Sequence, residues 1–286
     1  MTAILPPKSD EVFKMLFGNE QNKEILAGFL KAVLPLPDDD YEEIEILNPF
    51  LPGEALNDKI GILDLKLRLK SGRLIDVEIQ VANHAAFRER VLYYLTRLFT
   101  SQIGEGDSYR KLKPAIGIII TDFLWIADSP DYHTDYLFCS RKNGSVFSDY
   151  LTIHTLELPK VGEVDDKSDL WAWLEFLKAK DKEELEMLAK EHPAVEPAVK
   201  KLLSLSENTQ AWIAHEAREK ARRDELSRKE EAEEKGWERG LKKGREEGRE
   251  EALLATARRL LGLGMPVEEI ARITELSQET IRALVH

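Results

Sequence analysis

The chain has 286 residues, 43% of them hydrophobic, enough to close one large core or two ordinary ones, which excludes a disordered protein. With 53 Asp plus Glu against 41 Lys plus Arg, the formal net charge of −12 excludes a protein that coats nucleic acid through its overall field, so any such contact must come from a local patch. A single cysteine, Cys139, excludes an internal disulfide or a cysteine zinc site, and six scattered histidines leave carboxylates as the metal ligands to consider.

Asp10 to Leu34 carries Phe13, Leu16, Phe17, Ile25, Leu26, Phe29, Leu30 and Val33 at a helical period until Pro35 and Pro37 stop it, which predicts one or two packed helices with Gly18 and Asn19 as the interruption. From Glu43 to Leu158 the pattern changes to strands around one helix. The strands are expected at Glu43 to Asn48, Leu63 to Lys70, Leu74 to Ala82, Pro114 to Thr121, Tyr136 to Ser140 and Tyr150 to Leu158, and the helix at Ala85 to Ile103 with a face of Phe87, Val91, Tyr94, Leu95 and Leu98. This order describes an α/β core with helices covering a mixed sheet. No uncharged apolar run exceeds strand length and no signal-type run opens the chain, so a soluble, cytoplasmic protein with no membrane partner is expected.

After Pro159 the composition turns helical and charged, beginning with a Trp171, Trp173, Leu174, Phe176 and Leu177 face. Apolar residues become sparse between His215 and Glu251, where glycines recur at 236, 240, 244 and 248. Each glycine in a helix costs about 1 kcal/mol against Ala, so the spacing reads either as a smooth stripe for helix pairing between subunits or as a solvated linker. Pro266 to Leu284 reads as two short helices with Ser277 as the N-cap of the second, resembling a helix-turn-helix except that Glu275 stands where the turn usually takes Gly. Together these segments give a core at 1–160, a helical extension packed on it at 161–214, a charged helical linker at 215–250 and a small helical module at 251–286. From His215 to His286 there are 16 Lys plus Arg and 17 Asp plus Glu, so dimerisation or regulation is expected of the tail in preference to base reading.

The chemistry concentrates in one hairpin. Leu63, Leu65, Leu67 and Leu69 share one face of its first arm and Asp64, Lys66, Arg68 and Lys70 the other; in the second arm Ile75, Val77, Ile79 and Val81 oppose Leu74, Asp76, Glu78 and Gln80. A two-residue Ser71-Gly72 loop would mix the faces, whereas a three-residue loop Lys70-Ser71-Gly72 keeps them apart, sets Gly72 at the left-handed position and opposes Asp64 to Glu78 and Lys66 to Asp76. Opposed residues have Cβ atoms about 4.5–5.5 Å apart, so two carboxylates there repel unless a divalent cation sits between them, and oxygen-only ligands select Mg²⁺ or Mn²⁺ over zinc. The plainer reading is a half-exposed hairpin with a solvated charged face and a Lys66–Asp76 ion pair. Against it stands the local charge: from Lys59 to Ala115 there are 11 Lys plus Arg and 6 Asp plus Glu, a basic surround for an acidic pair, as a phosphodiester site requires.

Asp64, then Glu78-Ile79-Gln80, behind a helix opening Ser9-Asp10-Glu11-Val12-Phe13-Lys14, resembles the recombination-promoting nucleases of the PD-(D/E)XK superfamily, also labelled transposases. The resemblance extends through the Phe87 to Tyr94 helix, Gly106 and Tyr109 to Pro114, Thr121-Asp122-Phe123, the Trp171 helix and the charged tail, nearly the whole chain. It implies a restriction-endonuclease-like αβββαβ core with flanking helices and an α-helical C-terminal tail, and Mg²⁺-dependent (or Mn²⁺-dependent) cleavage of DNA. By position, Asp64 and Glu78 match the metal-binding acids, Asp10 or Glu11 the acid that some members carry on the first helix, and Gln80 falls where the superfamily name has Lys. Gln80 can orient water or a phosphate oxygen but supplies no charge, which Lys66 or Lys14 would have to provide. Arg68, Arg73, Arg88 and Arg90 are the cations expected to meet DNA, and a homodimer through the C-terminal helices is the expected assembly. Two functions fit: a divalent-metal-dependent DNA endonuclease whose breaks promote recombination, or a catalytically silent DNA-associating or protein-binding regulator on the same fold.

Overall fold

The computed structural model describes residues 3–47, 64–83, 85–162 and 166–284. Asn48, Leu63 and His286, on which parts of the expectations above fall, lie outside them. The first apolar segment forms two helices, α1 (Asp10–Phe17) and α2 (Lys23–Val33), separated at Gly18, whose N–H caps α1 by donating to the Lys14 carbonyl. Strands β1 (Ile44–Leu47), β2 (Leu65–Leu69) and β3 (Leu74–Gln80) follow as an antiparallel meander. Helix α3 (Phe87–Thr100) then crosses over to β4 (Ala115–Thr121), parallel to β3, as a strand-helix-strand unit requires.

Strands β5 (His133–Cys139) and β6 (Val146–Glu157) complete a six-stranded sheet of order β1-β2-β3-β4-β6-β5. Both begin earlier than their apolar runs, because β5 and β6 pair with each other as a hairpin, and backbone pairing at a sheet edge needs no alternating burial. The succession α, β, β, β, α, β from α2 to β4 is the expected mixed-sheet architecture.

The two faces of the sheet are packed differently. On one, Leu65, Leu67, Leu69, Ile75, Val77, Ile79, Ile116, Ile118 and Ile120 join α1, α2 and the helices α4 (Asp169–Lys178), α5 (Lys182–Glu191) and α6 (Glu196–Ser206) in a single continuous core. Trp173 of α4 sits at its centre against Phe17, Phe29 and Phe176, and Gly28 of α2 lets it approach: a Cβ there would stand 3.1 Å from the indole. On the other face α3 makes two small clusters, Leu74, Leu95, Leu98 and Ala115 in one and Phe87, Val91 and Ile119 in the other.

The chain divides into two compact units, Met1–Arg218 and Glu219–His286. The charged stretch belongs to one helix, α7 (Thr209–Gly262), 54 residues long; its Ala, Glu, Lys and Arg content outweighs five glycines, at each of which an added Cβ would meet nothing within 4 Å among the described residues. In the second unit, Ala257 of α7 packs with Ile270 of α8 (Val267–Thr274) and Ile281 of α9 (Gln278–Ala283). Ser277 caps α9 by accepting from the Thr280 N–H at 3.0 Å, and Glu275 adopts a left-handed φ of +58° at the turn, the conformation for which glycine is the usual choice. Among the described residues no helix is long and apolar enough to cross a membrane.

Candidate active site

The hairpin has the register that parity demands. Lys66 faces Asp76 and Leu65 faces Val77, Leu69 and Arg73 close a three-residue loop, and Gly72 turns it with φ +86°. Asp40 braces the turn: its carboxylate accepts from the Ser71 N–H at 3.1 Å and pairs with Arg73 at 2.5 Å. The same-face alternation therefore delivers Lys66 and Arg68 of the first arm and Asp76, Glu78 and Gln80 of the second to the side that α3 covers.

Asp64 immediately precedes β2. Its Oδ2 accepts from the Ile79 N–H at 3.2 Å and its Oδ1 lies 3.1 Å from Lys14 Nζ. Lys14 also pairs with Asp10 at 2.7 Å, and Arg218 reaches Asp10 at 3.6 Å. Helix α1 thus brings a cation and a second carboxylate to the hairpin. Burial pushes the Asp64 carboxyl above its usual range, with Lys14 opposing. Burial also works against the Lys14 ammonium, but Asp64 and Asp10 outweigh it and hold its pKa above the usual value.

Asp76 and Glu78 are 3% and 1% exposed, and Asp76 Oδ1 and both Glu78 carboxylate oxygens have no hydrogen-bond partner among the described residues. Burial raises Asp76 well above the carboxylate range, reinforced by Glu78 and then Asp64. Burial, and next the charge on Asp64, pushes Glu78 up to about 7. Arg90 of α3 lies 3.8 Å from Glu78 Oε2, too far for a hydrogen bond, and stacks on Tyr94. The Lys66–Asp76 ion pair that the register permits does not form; Lys66 is left with its pKa lowered by burial and by Arg68. The acids of the second arm are therefore buried, while Arg68 at the far end of the same face stays exposed.

Gln80 ends β3 beside Thr121, and its carbonyl accepts from the Asp122 N–H at 2.9 Å while the Asp122 carboxylate pairs with Lys8 at 2.6 Å. Lys8 is a contact that periodicity gives no signal for. Of the other expected residues, Glu11 has a buried Oε2 without a hydrogen-bond partner among the described residues, Arg68 pairs with Glu45 at 2.8 Å across β1 and β2, and Arg88 is exposed on α3. Tyr93 and Tyr109 are exposed, whereas Tyr94 and Phe99 pack against the cluster under α3. His84 lies outside the described residues.

The family resemblance implies a divalent metal, and the donor set suits one. Buried carboxylate oxygens with no partner are costly unless a cation compensates them, and they are oxygen donors, the kind that hard divalent cations take. No group of three or more His, Cys, Asp or Glu among the described residues is arranged to hold an ion by itself. A family model described as PD-(D/E)XK nuclease family transposase matches residues 7–232. No curated protein and no solved structure matches the chain. The family match takes in α1, the hairpin, α3 and β4 together with Lys14, Asp64, Glu78 and Gln80, and with more than half of the sequence covered the chain belongs to the PD-(D/E)XK nuclease family transposases, a family of nuclease type.

Proposed function

We propose that the chain is a divalent-metal-dependent DNA endonuclease, hydrolysing a phosphodiester to leave one phosphate monoester and one hydroxyl end. The observation that carries this reading is the buried pair Asp76 and Glu78, with unpartnered carboxylate oxygens, beside Asp64, whose own carboxylate is held by the Ile79 N–H and by Lys14. Asp64 and Glu78 would hold Mg²⁺ or Mn²⁺, which would supply a nucleophilic water at neutral pH and neutralise charge on the phosphate. The backbone N–H of Ile79 and the Lys14 ammonium fix the orientation of Asp64. Lys14 provides the positive charge that Gln80 lacks, and Gln80 uses its amide to orient water or a phosphate oxygen. Lys66 is the competing source of charge on the hairpin itself. We further place the protein in the cytoplasm, as a homodimer paired through its C-terminal helices, with DNA breaks as the means of promoting recombination.

The test is cleavage of supercoiled plasmid in Mg²⁺, Mn²⁺ or EDTA by the wild-type chain and by Asp64→Asn and Glu78→Gln. Metal-dependent nicking or linearisation that both variants lose supports the endonuclease. Equal trace activity in all three proteins would make the chain a catalytically silent relative. Lys14→Met and Lys66→Met separate the two cations: the first is expected to lose activity by about 10²-fold or more, the second far less. Light scattering of the full chain reads the dimer.

A further inference from the structure

On the same face of the hairpin as the carboxylates, toward its turn, lies a cavity of about 300 Å³ with Lys66, Arg68, Lys111 and Lys113 in its wall and no acidic residue among the described ones. A chain of net charge −12 repels DNA at long range, so a concave site lined by four cations is an exception that its surroundings do not explain. Two of the cations are neutralised at the rim, Arg68 by Glu45 and Lys111 by Asp107. Lys66 and Lys113 have no ion-pair partner among the described residues.

The site is also built. Gln102, just beyond α3, grips the Lys113 backbone at both ends, its Nε2 donating to the Lys113 carbonyl at 2.9 Å and its Oε1 accepting from the Lys113 N–H at 3.0 Å. The Lys113 stem lies over the hairpin turn, where a Cβ on Gly72 would stand 3.2 Å from its Cγ. The backbone that carries the unpaired ammonium is thus fixed from one side and its stem is supported from the other. Strand β2 runs from this cavity toward the acids: Lys66 and Arg68 share a face with Asp76 and Glu78, and the four residue steps from Arg68 back to Asp64, at about 3.3 Å each, span about 13 Å, the axial length of about four nucleotides of a duplex strand.

We propose that this cavity holds a non-scissile phosphate of the DNA strand being cut, within about four nucleotides of the bond at Asp64 and Glu78. The proposal rests on the endonuclease reading for the substrate, but its measurement does not require cleavage. The probe is a fluorescein-labelled 30-base-pair duplex, titrated in EDTA at a series of salt concentrations with the full chain, with the double variant Lys111→Glu/Lys113→Glu, and with Lys182→Glu/Lys200→Glu on α5 and α6 as the charge-matched control. The double variant is expected to bind at least about ten-fold more weakly near 0.1 M salt, with a salt slope shallower by about one, at roughly 0.9 for the phosphate that is no longer neutralised; the control is expected to match the wild type. Lys113→Gln, which keeps most of the stem and drops only the charge, is expected to lower the slope by about one, so a folding defect in the double variant does not decide the matter. Equal affinity and slope in wild type, Lys113→Gln and the double variant would overturn the proposal, as would an equal loss in the control. Failure of the endonuclease reading is a different result: a wild type that cleaves nothing in Mg²⁺ or Mn²⁺, whatever its binding to the duplex.

Discussion

The two faces of the sheet are made from the same strands and do opposite things. Toward α1, α2 and α4, the residues Ile75, Val77 and Ile79 of β3 enter one continuous apolar core. Toward α3, the alternate residues are Leu74, Asp76, Glu78 and Gln80, and the apolar packing breaks into two small clusters with buried carboxylates on the strand between them. A strand buried on both faces ordinarily reads as a continuous apolar run. Here the substitution of acids on one face is tolerated because the other supplies the free energy of folding, and on the proposed reading the acids exchange stability for a metal site.

The largest test of that division is Trp173, fully buried among Phe17, Phe29 and Phe176. Trp173→Ala is expected to cost about 3–5 kcal/mol in urea unfolding, while Trp173→Phe, which also removes an Nε1–H that has no partner among the described residues, should cost much less. Val91→Ala under α3, in a cluster of three buried residues, is expected to cost about 1–2 kcal/mol. Comparable losses at Trp173 and Val91 on truncation to Ala would show that the two faces share the load.

The acids should give the opposite sign. Glu78 has its pKa raised by burial from 4.5 to about 7, so the folded state binds its proton more tightly than the unfolded chain. That stability is complete below about pH 4.5 and is lost as the pH rises through about 7, because folding then requires a buried carboxylate. Glu78→Gln is therefore expected to stabilise the metal-free protein at pH 8 by up to about 3 kcal/mol, to change it little at pH 4, and to abolish cleavage. A melting temperature at pH 8 that falls on this substitution would mean that Glu78 is a satisfied structural acid.

Strict alternation and loop parity make the hairpin legible: the opposed Lys66 and Asp76, the three-residue loop and the left-handed Gly72 all follow from the order of residues 63–81. Local patterning likewise gives the break at Gly18, the buried face of α3 and the Ser277 cap. Contacts between distant segments leave no such trace. Nothing in the spacing joins Lys14 to Asp64, Lys8 to Asp122 or Gln102 to the Lys113 backbone, since each depends on how α1 or α3 lies against the sheet. The burial of Asp76 and Glu78 is similarly invisible, because the same alternation describes a solvated face until a helix is laid over it. At the far edge, the apolar runs place strand starts at Tyr136 and Tyr150, while the pairing of β5 with β6 extends past both.

That far edge offers a second titrating site, with a pH response opposed to that of the acids. His133 of β5 and His154 of β6 stack with their Nε2 and Nδ1 atoms 3.0 Å apart, beside Asp135. Burial, and next the proximity of His133, lowers His154 from 6.5 to about 4. The folded state therefore holds His154 neutral, and its contribution is full above about pH 6.5 and is lost as the pH falls toward 4. We expect about 2 to 3 kcal/mol of stability to disappear across that window from this residue, against a gain from Glu78 over nearly the same range. Acidification from pH 6.5 to 4.5 should destabilise Glu78→Gln more than the wild type, and His154→Gln less. Parallel stability curves for all three proteins would place the titrating groups elsewhere.

The smallest effect expected lies in the second unit, where the turn between α8 and α9 is built without the usual residue. Glu275 holds φ +58° there, a conformation in which a side chain with a Cβ is strained by about 1 kcal/mol or more. Glycine would relieve that strain but return part of the gain as extra freedom of the unfolded chain, so Glu275→Gly should stabilise the helix pair by about 0.5–1 kcal/mol. The ion pair that Glu275 makes to Arg249 at 3.9 Å joins two largely exposed side chains and offsets little of this. The readout is hydrogen exchange of α8 and α9 amides in the full chain: slower exchange confined to those helices is expected, because Ile270 and Ile281 pack there with Ala257 in a small core of their own. Faster exchange would mean that the left-handed turn is held by the glutamate itself.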